Sequence, residues 1–164
     1  MVGTGPAEKK NEHQLVYVMK VSEIISFDDY WNDLRFLLKR PSFQGSMKNG
    51  YGDNIYHRDP ATHIWIQENS HHSLEDGGIN QENLDRDTGS TDKVLVSTRF
   101  AYWGGHGPAI PYEFQDFDGE CLSIHTPAHK SRFSEEFVRR FSEWFHALGM
   151  QGIYNTPDDW RIGP

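Results

Sequence analysis

The stretch YGDNIYHRDPATHIWIQENSHHSLEDGG, Tyr51 to Gly78, holds four of the nine histidines together with Asp53 and Asp59. Imidazole and carboxylate groups at such density suit general acid–base work or ligation of Zn, Fe or Mn. The spacing fits no metal signature. HExxH is absent, and a single cysteine, Cys121, excludes the paired-cysteine zinc patterns and an intrachain disulfide. In an extended segment the adjacent His71 and His72 point to opposite sides, so at most one serves a given site. No cofactor is therefore expected, and Zn, Fe or Mn is the alternative. The triplet His57-Arg58-Asp59 lacks the later Asn and the Gly-rich loop of a kinase. GTGPAE at 3–8 lacks the third glycine of a dinucleotide loop and sets Pro6 where a helix should open. The H-x-S triplets at 71–73 and 129–131 fall outside predicted strands.

A second chemistry fits the same residues. A nucleobase is held by stacking on aromatic faces and by hydrogen bonds to its edge. Tyr51, Tyr56, Trp65 and Trp103 can supply faces, and Asn54, Gln67, Asp53 and Asp59 can supply edge contacts. In this reading Arg58 meets a phosphate, His71 and Ser73 complete the binding set, and His57, Asp53 or Asp59 is the acid or base. A sugar or a peptide would be held by much the same groups, so the ligand class stays open at this level.

These residues need a scaffold, and 164 residues suffice for one core. The hydrophobic share is low at 36%, but aromatics reach 13%, which argues for a folded chain. Sixteen Lys and Arg against 24 Asp and Glu leave a net charge of −8, which disfavours broad adhesion to nucleic acid. A local basic patch remains at HKSRF, 129–133, with Arg139 and Arg140; ordinary solvated charge at a helix start is the plainer reading. No apolar run is long enough to cross a bilayer and the first twenty residues lack an apolar leader core, so a cytoplasmic protein is expected.

QLVYVMKV, 14–21, reads as a buried central strand. Ser26 caps a predicted helix, FDDYWNDLRFLL, ended by Pro41. HIWIQ reads as a strand with His63, Trp65 and Gln67 on one face, and 68–92 as a long polar loop. KVLVSTRFAYW, 93–103, reads as one strand. Ser134 caps a helix whose Phe137, Phe141, Trp144, Phe145 and Leu148 form an apolar stripe, with Gly149 ending it.

Several blocks carry a resemblance across nearly the whole chain: LVYVMKVSEIISFDDYWNDLRF, KRPSFQGSMKNGYGDNIYHRD, WIQENSHHSLEDG, DTGSTDKVLVSTRFAYWG and HKSRFSEEFVRRFSEWFHALGMQGIYNTPDDW. Together they resemble the nucleotide-modification-associated domain family, the second type of that series. The resemblance implies a bacterial or phage protein associated with DNA base hypermodification; it implies a process rather than a reaction. Members of that family carry an N-terminal strand-rich piece, whereas this sequence starts at MVGTG. A single shortened domain, 1–164, is thus expected, its Leu15–Val21 strand exposing an edge, as a marginal monomer or an edge-paired homodimer.

The order of elements is also similar to PUA-like barrels that hold a flipped base in an aromatic cage. The expected fold is α+β: a partial PUA-like barrel or a mixed sheet, with two flanking amphipathic helices and a long polar loop. The expected function is recognition or processing of a modified nucleobase or nucleotide. The alternatives are a metal- or His-dependent enzyme acting on nucleotides or phosphodiesters, and an accessory structural subunit of a base-modification or phage-defence system, docked to a partner enzyme.

Overall fold

Helices begin in this chain where a short polar side chain can accept from the first free backbone amides. In a computed structural model describing residues 1–5, 13–122 and 130–157, Ser26 accepts from the Asp29 amide at 3.0 Å and opens α1, Phe27–Asn32. Asn80 accepts from the Asn83 amide to open α2, Gln81–Thr88, and Ser134 from the Phe137 amide to open α3, Glu135–Ala147. Gly149, at φ +62, takes the left-handed position after α3 that the sequence assigns to it.

The strands are short: β1 (Val2–Thr4), β2 (Leu15–Lys20), β3 (Glu23–Ile25), β4 (Tyr56–Arg58), β5 (Trp65–Gln67), β6 (Val94–Val96), β7 (Arg99–Tyr102) and β8 (Gly152–Ile153). They form three sheets: a four-stranded one in the order β1-β2-β7-β8, and the pairs β3-β6 and β4-β5. The large sheet is mixed, since β7 and β8 run parallel and its other pairs antiparallel. The fold is α+β with open sheets; among the described residues none closes into a barrel. The mixed-sheet form of the expectation is the one realised. β2 is flanked on both sides, by β1 and β7, so its expected exposed edge is not found.

The chain divides into two compact units, one of 1–22 and 97–164, the other of 23–96. The first is built on Leu15, Val18, Ala101, Trp103, Ile110, Phe114, Phe137 and Phe141. Phe114 is wholly buried and meets Phe137 and Phe141 edge-on, with ring centroids 5.6 and 5.4 Å away. The apolar stripe of α3 is therefore core packing, as its spacing indicates.

The second unit has a smaller apolar centre, Ile55, Tyr56 and Leu84, with Phe27 and Trp65 against it, and three buried polar residues, Asn54, Gln67 and Ser70. Here the structure departs from the sequence reading in three places. The long helix from Phe27 breaks at Asp33, whose carboxylate accepts from the Arg35 amide and restarts the chain as a 3-10 segment, Leu34–Lys39. The polar stretch 68–92 contains α2, whose one buried apolar residue, Leu84, gives too faint a periodicity to read. Residues 93–103 form two strands rather than one. At the break Ser97 Oγ donates toward the Lys20 and Arg99 carbonyls and accepts from the Arg99 amide.

No helix among the described residues is long and apolar enough to cross a membrane. Residues 6–8 of GTGPAE and His129, shared by the basic patch and one H-x-S triplet, lie outside the described residues. Two arginines of the patch are neutralised, Arg139 by Glu136 and Glu143 and Arg140 by Glu113.

Candidate functional site

The hairpin of β4 and β5 organises the second unit. Its register pairs Tyr56 with Gln67, His57 with Ile66 and Arg58 with Trp65. Alternation then puts Tyr56, Arg58, Trp65 and Gln67 on one face and His57, Ile66 and the following Glu68 on the other.

On the first face the side chains are committed to one another. Tyr56, 4% exposed, donates to Asp87 Oδ2 at 2.8 Å, and Arg86 reaches the same carboxylate through Nε and Nη2 at 2.8 and 3.1 Å. Burial, reinforced by that acidic partner, pushes the Tyr56 hydroxyl up to about 12. Burial alone would raise Asp87, but the hydrogen bonds from Arg86 and Tyr56 outweigh it and hold the carboxyl below its ordinary value. Gln67 accepts from the Asn80 amide at 2.7 Å, so the side chain expected to read a base edge instead fastens the entry to α2.

Arg58 stacks over Trp65, its Cζ 3.9 Å from the ring centroid, while its Nη1 donates to Asp28 and Asp92 at 3.0 and 2.9 Å. Two carboxylates thus occupy the guanidinium that the sequence reading offers to a phosphate. Phe27 meets Trp65 and Tyr56 edge-on. One indole face of Trp65 is therefore already covered by a cation.

Asn54 is buried completely. Its amide donates to the backbone oxygens of Tyr30 at 3.0 Å and Phe36 at 3.4 Å, and its own N–H bonds to the Lys39 carbonyl. It joins α1 to the 3-10 segment and presents nothing to a ligand. Beside it Gly52 is required by close approach, because a Cβ there would come within 2.4 Å of the Lys39 oxygen. Asp53 is exposed and accepts from Tyr30 at 2.7 Å; burial and that carboxylate raise the Tyr30 hydroxyl well above its usual range. Asp59 is a turn residue. It accepts from the amides of Ala61 and Thr62 and from the Thr62 hydroxyl, and the Thr62 amide leads in holding its carboxyl below the ordinary value. His63 sits in this turn at φ +58, off the strand face assigned to it.

The other face carries an assembly that sequence spacing only half shows. His57 Nε2 lies 2.9 Å from Glu68 Oε1, and its ring stacks on Trp31 at 4.1 Å and 10°. The Arg40 guanidinium covers the same indole at 3.7 Å and donates through Nη2 to the Trp31 carbonyl. Two planar groups this close to one ring must take its opposite faces. The column runs Arg40, Trp31, His57, and Glu68 grips the far end.

From Glu68 the chain enters a tight turn. Ser73 Oγ accepts from the Ser70 amide and donates to the Glu68 carbonyl, so Ser73 shapes this turn. The His71 amide bonds to the Gly50 carbonyl at 3.2 Å, and the His71 ring stacks on Tyr51 with centroids 4.4 Å apart and planes 28° apart. His72 meets His71 edge-on at 4.1 Å, and its Nδ1 lies 3.8 Å from Asp87. His71 is exposed and Tyr51 half-buried.

Of the residues proposed from sequence, the structure joins His57, Tyr51, His71 and Ser73 through the 68–73 turn. It assigns Asn54, Gln67 and Asp59 to internal structure and Arg58 and Trp65 to each other. Trp103 belongs to the other unit, where it is 3% exposed and packs edge-on against Phe145. It is a core side chain and not a second stacking wall. Glu68, Trp31, Arg40 and Asp87 are absent from the sequence-based set, and His72 enters it only as a metal candidate; Glu68 is detectable as the strand position following Gln67 on the His57 face. Among the described residues no group of three His, Cys, Asp or Glu converges as a metal set.

No curated protein and no solved structure matches the chain. A family model described as nucleotide modification associated domain 2 matches residues 1–164, and with the blocks quoted above distributed over both units, the chain belongs to the nucleotide modification associated domain 2 family.

Proposed function

We propose that the second unit recognises or processes a modified nucleobase or nucleotide, using the Tyr51–His71 stack as its platform. The family's name ties the chain to nucleotide modification; the nucleobase itself is a reading of the site. The observation that carries it is the stack. An exposed imidazole and a half-buried phenol lie face to face on two turns tied together by the bond between the His71 amide and the Gly50 carbonyl. Such a pair offers a planar surface on which any base can stack, with His72 at its edge to discriminate. Gln67 supports the turn from behind, its Nε2 donating to the His72 carbonyl at 3.4 Å, and neither it nor the buried Asn54 touches the ligand.

The test is a thermal-shift and calorimetric screen against deoxynucleoside monophosphates, unmodified and 5-substituted, with Tyr51→Ala and His71→Ala alongside the wild type. A stacked base is worth about 1–3 kcal/mol, so either variant weakens binding roughly tenfold. Undiminished binding by both variants rules out the platform.

A second reading, a His-dependent enzyme acting on nucleotides or phosphodiesters, draws on the two imidazole–carboxylate pairs, His57 with Glu68 and His72 with Asp87. A phosphodiesterase or nucleotidase assay on wild type, His57→Ala and His72→Ala decides it, and elemental analysis of the purified protein decides whether Zn, Fe or Mn takes part. Turnover lost in either variant supports it, and no turnover from the wild type removes it.

A further inference from the structure

We propose that Glu68 fixes the tautomer of His57 so that the Nδ1 edge is a hydrogen-bond acceptor. This makes the site favour, where the base edge meets Nδ1, the exocyclic amine of cytosine or adenine over the carbonyl that thymine or guanine holds there. The inference rests on the reading of the second unit as a nucleobase site and adds a residue-level rule of selection to it.

A carboxylate only accepts, so the 2.9 Å contact between Glu68 Oε1 and His57 Nε2 requires the proton of the neutral imidazole on Nε2. Nδ1 then carries the lone pair. The ring cannot answer by flipping cheaply. It is held at 4.1 Å and 10° on the Trp31 indole, and that indole is itself held from its other face by Arg40, whose Nη2 bonds to the Trp31 backbone. A ring flip would put the carbon Cε1 where Nε2 now meets Glu68 and lose the hydrogen bond. The His57 side chain keeps 12% of its surface open, enough for an edge contact and too little for a base to stack on it. His57 and Glu68 share the face opposite the occupied Tyr56–Asp87 and Arg58–Trp65 contacts, and the turn that begins at Glu68 is the one that carries His71. Glu68 is thus a positioning residue acting through His57.

Long-range ¹⁵N–¹H correlation spectra of the full chain read the tautomer directly. The expected result is an Nε2–H neutral form for His57 in the wild type. A shift toward a mixture is expected in Glu68→Gln, whose amide can either accept or donate; a purely structural contact would leave the tautomer where it was. An Nδ1–H form in the wild type, or an unchanged tautomer in Glu68→Gln, overturns the assignment. In parallel, calorimetry compares cytidine and adenosine with their N4,N4-dimethyl and N6,N6-dimethyl analogues. Loss of one neutral hydrogen bond predicts a 3- to 10-fold weaker Kd for the dimethylated nucleosides. His57→Phe keeps a planar ring on Trp31 and should erase that difference. Equal binding of each pair, or a difference that survives His57→Phe, overturns the acceptor role. Binding of none of the four nucleosides and none of the unmodified or 5-substituted deoxynucleoside monophosphates overturns the nucleobase reading on which the inference rests, and the spectra separate that failure from a wrong tautomer.

Discussion

At the centre of the first unit lies Phe114, wholly buried among the rings of Phe137, Phe141 and Trp144, whereas the wholly buried side chain of the second unit is Asn54, an amide bonded to two backbone carbonyls. Apolar burial is non-directional and tolerates small displacements, while a buried amide stabilises only in one geometry and costs when that geometry is lost. The first unit is accordingly a packing scaffold. In the second, every element near the candidate site is placed by a directional bond: Asn54 sets α1 against the 3-10 segment, Gln67 sets α2, and Asp87 and Asp92 set Tyr56 and Arg58.

The contrast can be broken by unfolding experiments. Phe114→Ala removes the side chain at the centre of the ring cluster and should cost about 3–5 kcal/mol in urea denaturation, the largest effect in the molecule. Asn54→Ala strands the carbonyls of Tyr30 and Phe36 and should cost about 2 kcal/mol. A loss under about 0.5 kcal/mol would remove the distinction between the units, since that is the scale of an ordinary surface change.

Two further measurements sharpen it through pH. The Tyr56 hydroxyl is raised to about 12 in the folded chain, so the fold prefers its neutral form. That contribution is whole below the unfolded value of about 10 and disappears as pH rises toward 12. Tyr56→Phe should flatten the alkaline limb of the stability curve and cost about 1 kcal/mol at neutral pH for the lost bond to Asp87; an unaltered alkaline limb would contradict it. Asp87 is shifted the other way. Its share of stability is present above the unfolded carboxylate value of about 4 and is lost as pH falls through the lower folded value, so Asp87→Asn should soften the acid limb. The smallest effect is expected at Leu38, 97% exposed, where Leu38→Ser should change stability by less than about 0.5 kcal/mol.

How much of this was legible in the sequence follows the same division. Ser26, Ser134 and Gly149 act locally, and the helix ends they mark are found where the spacing puts them. The stripe of α3 is legible because its five apolar side chains repeat at helical period. The second unit depends on partners far along the chain. Nothing near Asn54 reveals that its acceptors are Tyr30 and Phe36, or near Arg58 that Asp28 and Asp92 claim it, so buried structural amides and a neutralised arginine look like ligand-reading groups. The stretch 93–103 has the composition of one strand, and only the bonds of Ser97 show where it is cut.

That cut has a kinetic meaning. Lys20 pairs with Arg99 at the end of β2 and β7, and the next ladder, Glu23 with Val96 through Ile25 with Val94, continues in the same register. Residues 23–96 are thus spliced into what would otherwise be a plain hairpin turn. If β3 and β6 pair first, the loop that β2 and β7 must close shrinks from most of the intervening chain to a few residues. Each tenfold shortening lowers the entropic cost of closure by about 2 kcal/mol. The inserted unit would then act as a folding clasp, and its early formation would set the speed at which the scaffold around Phe114 assembles.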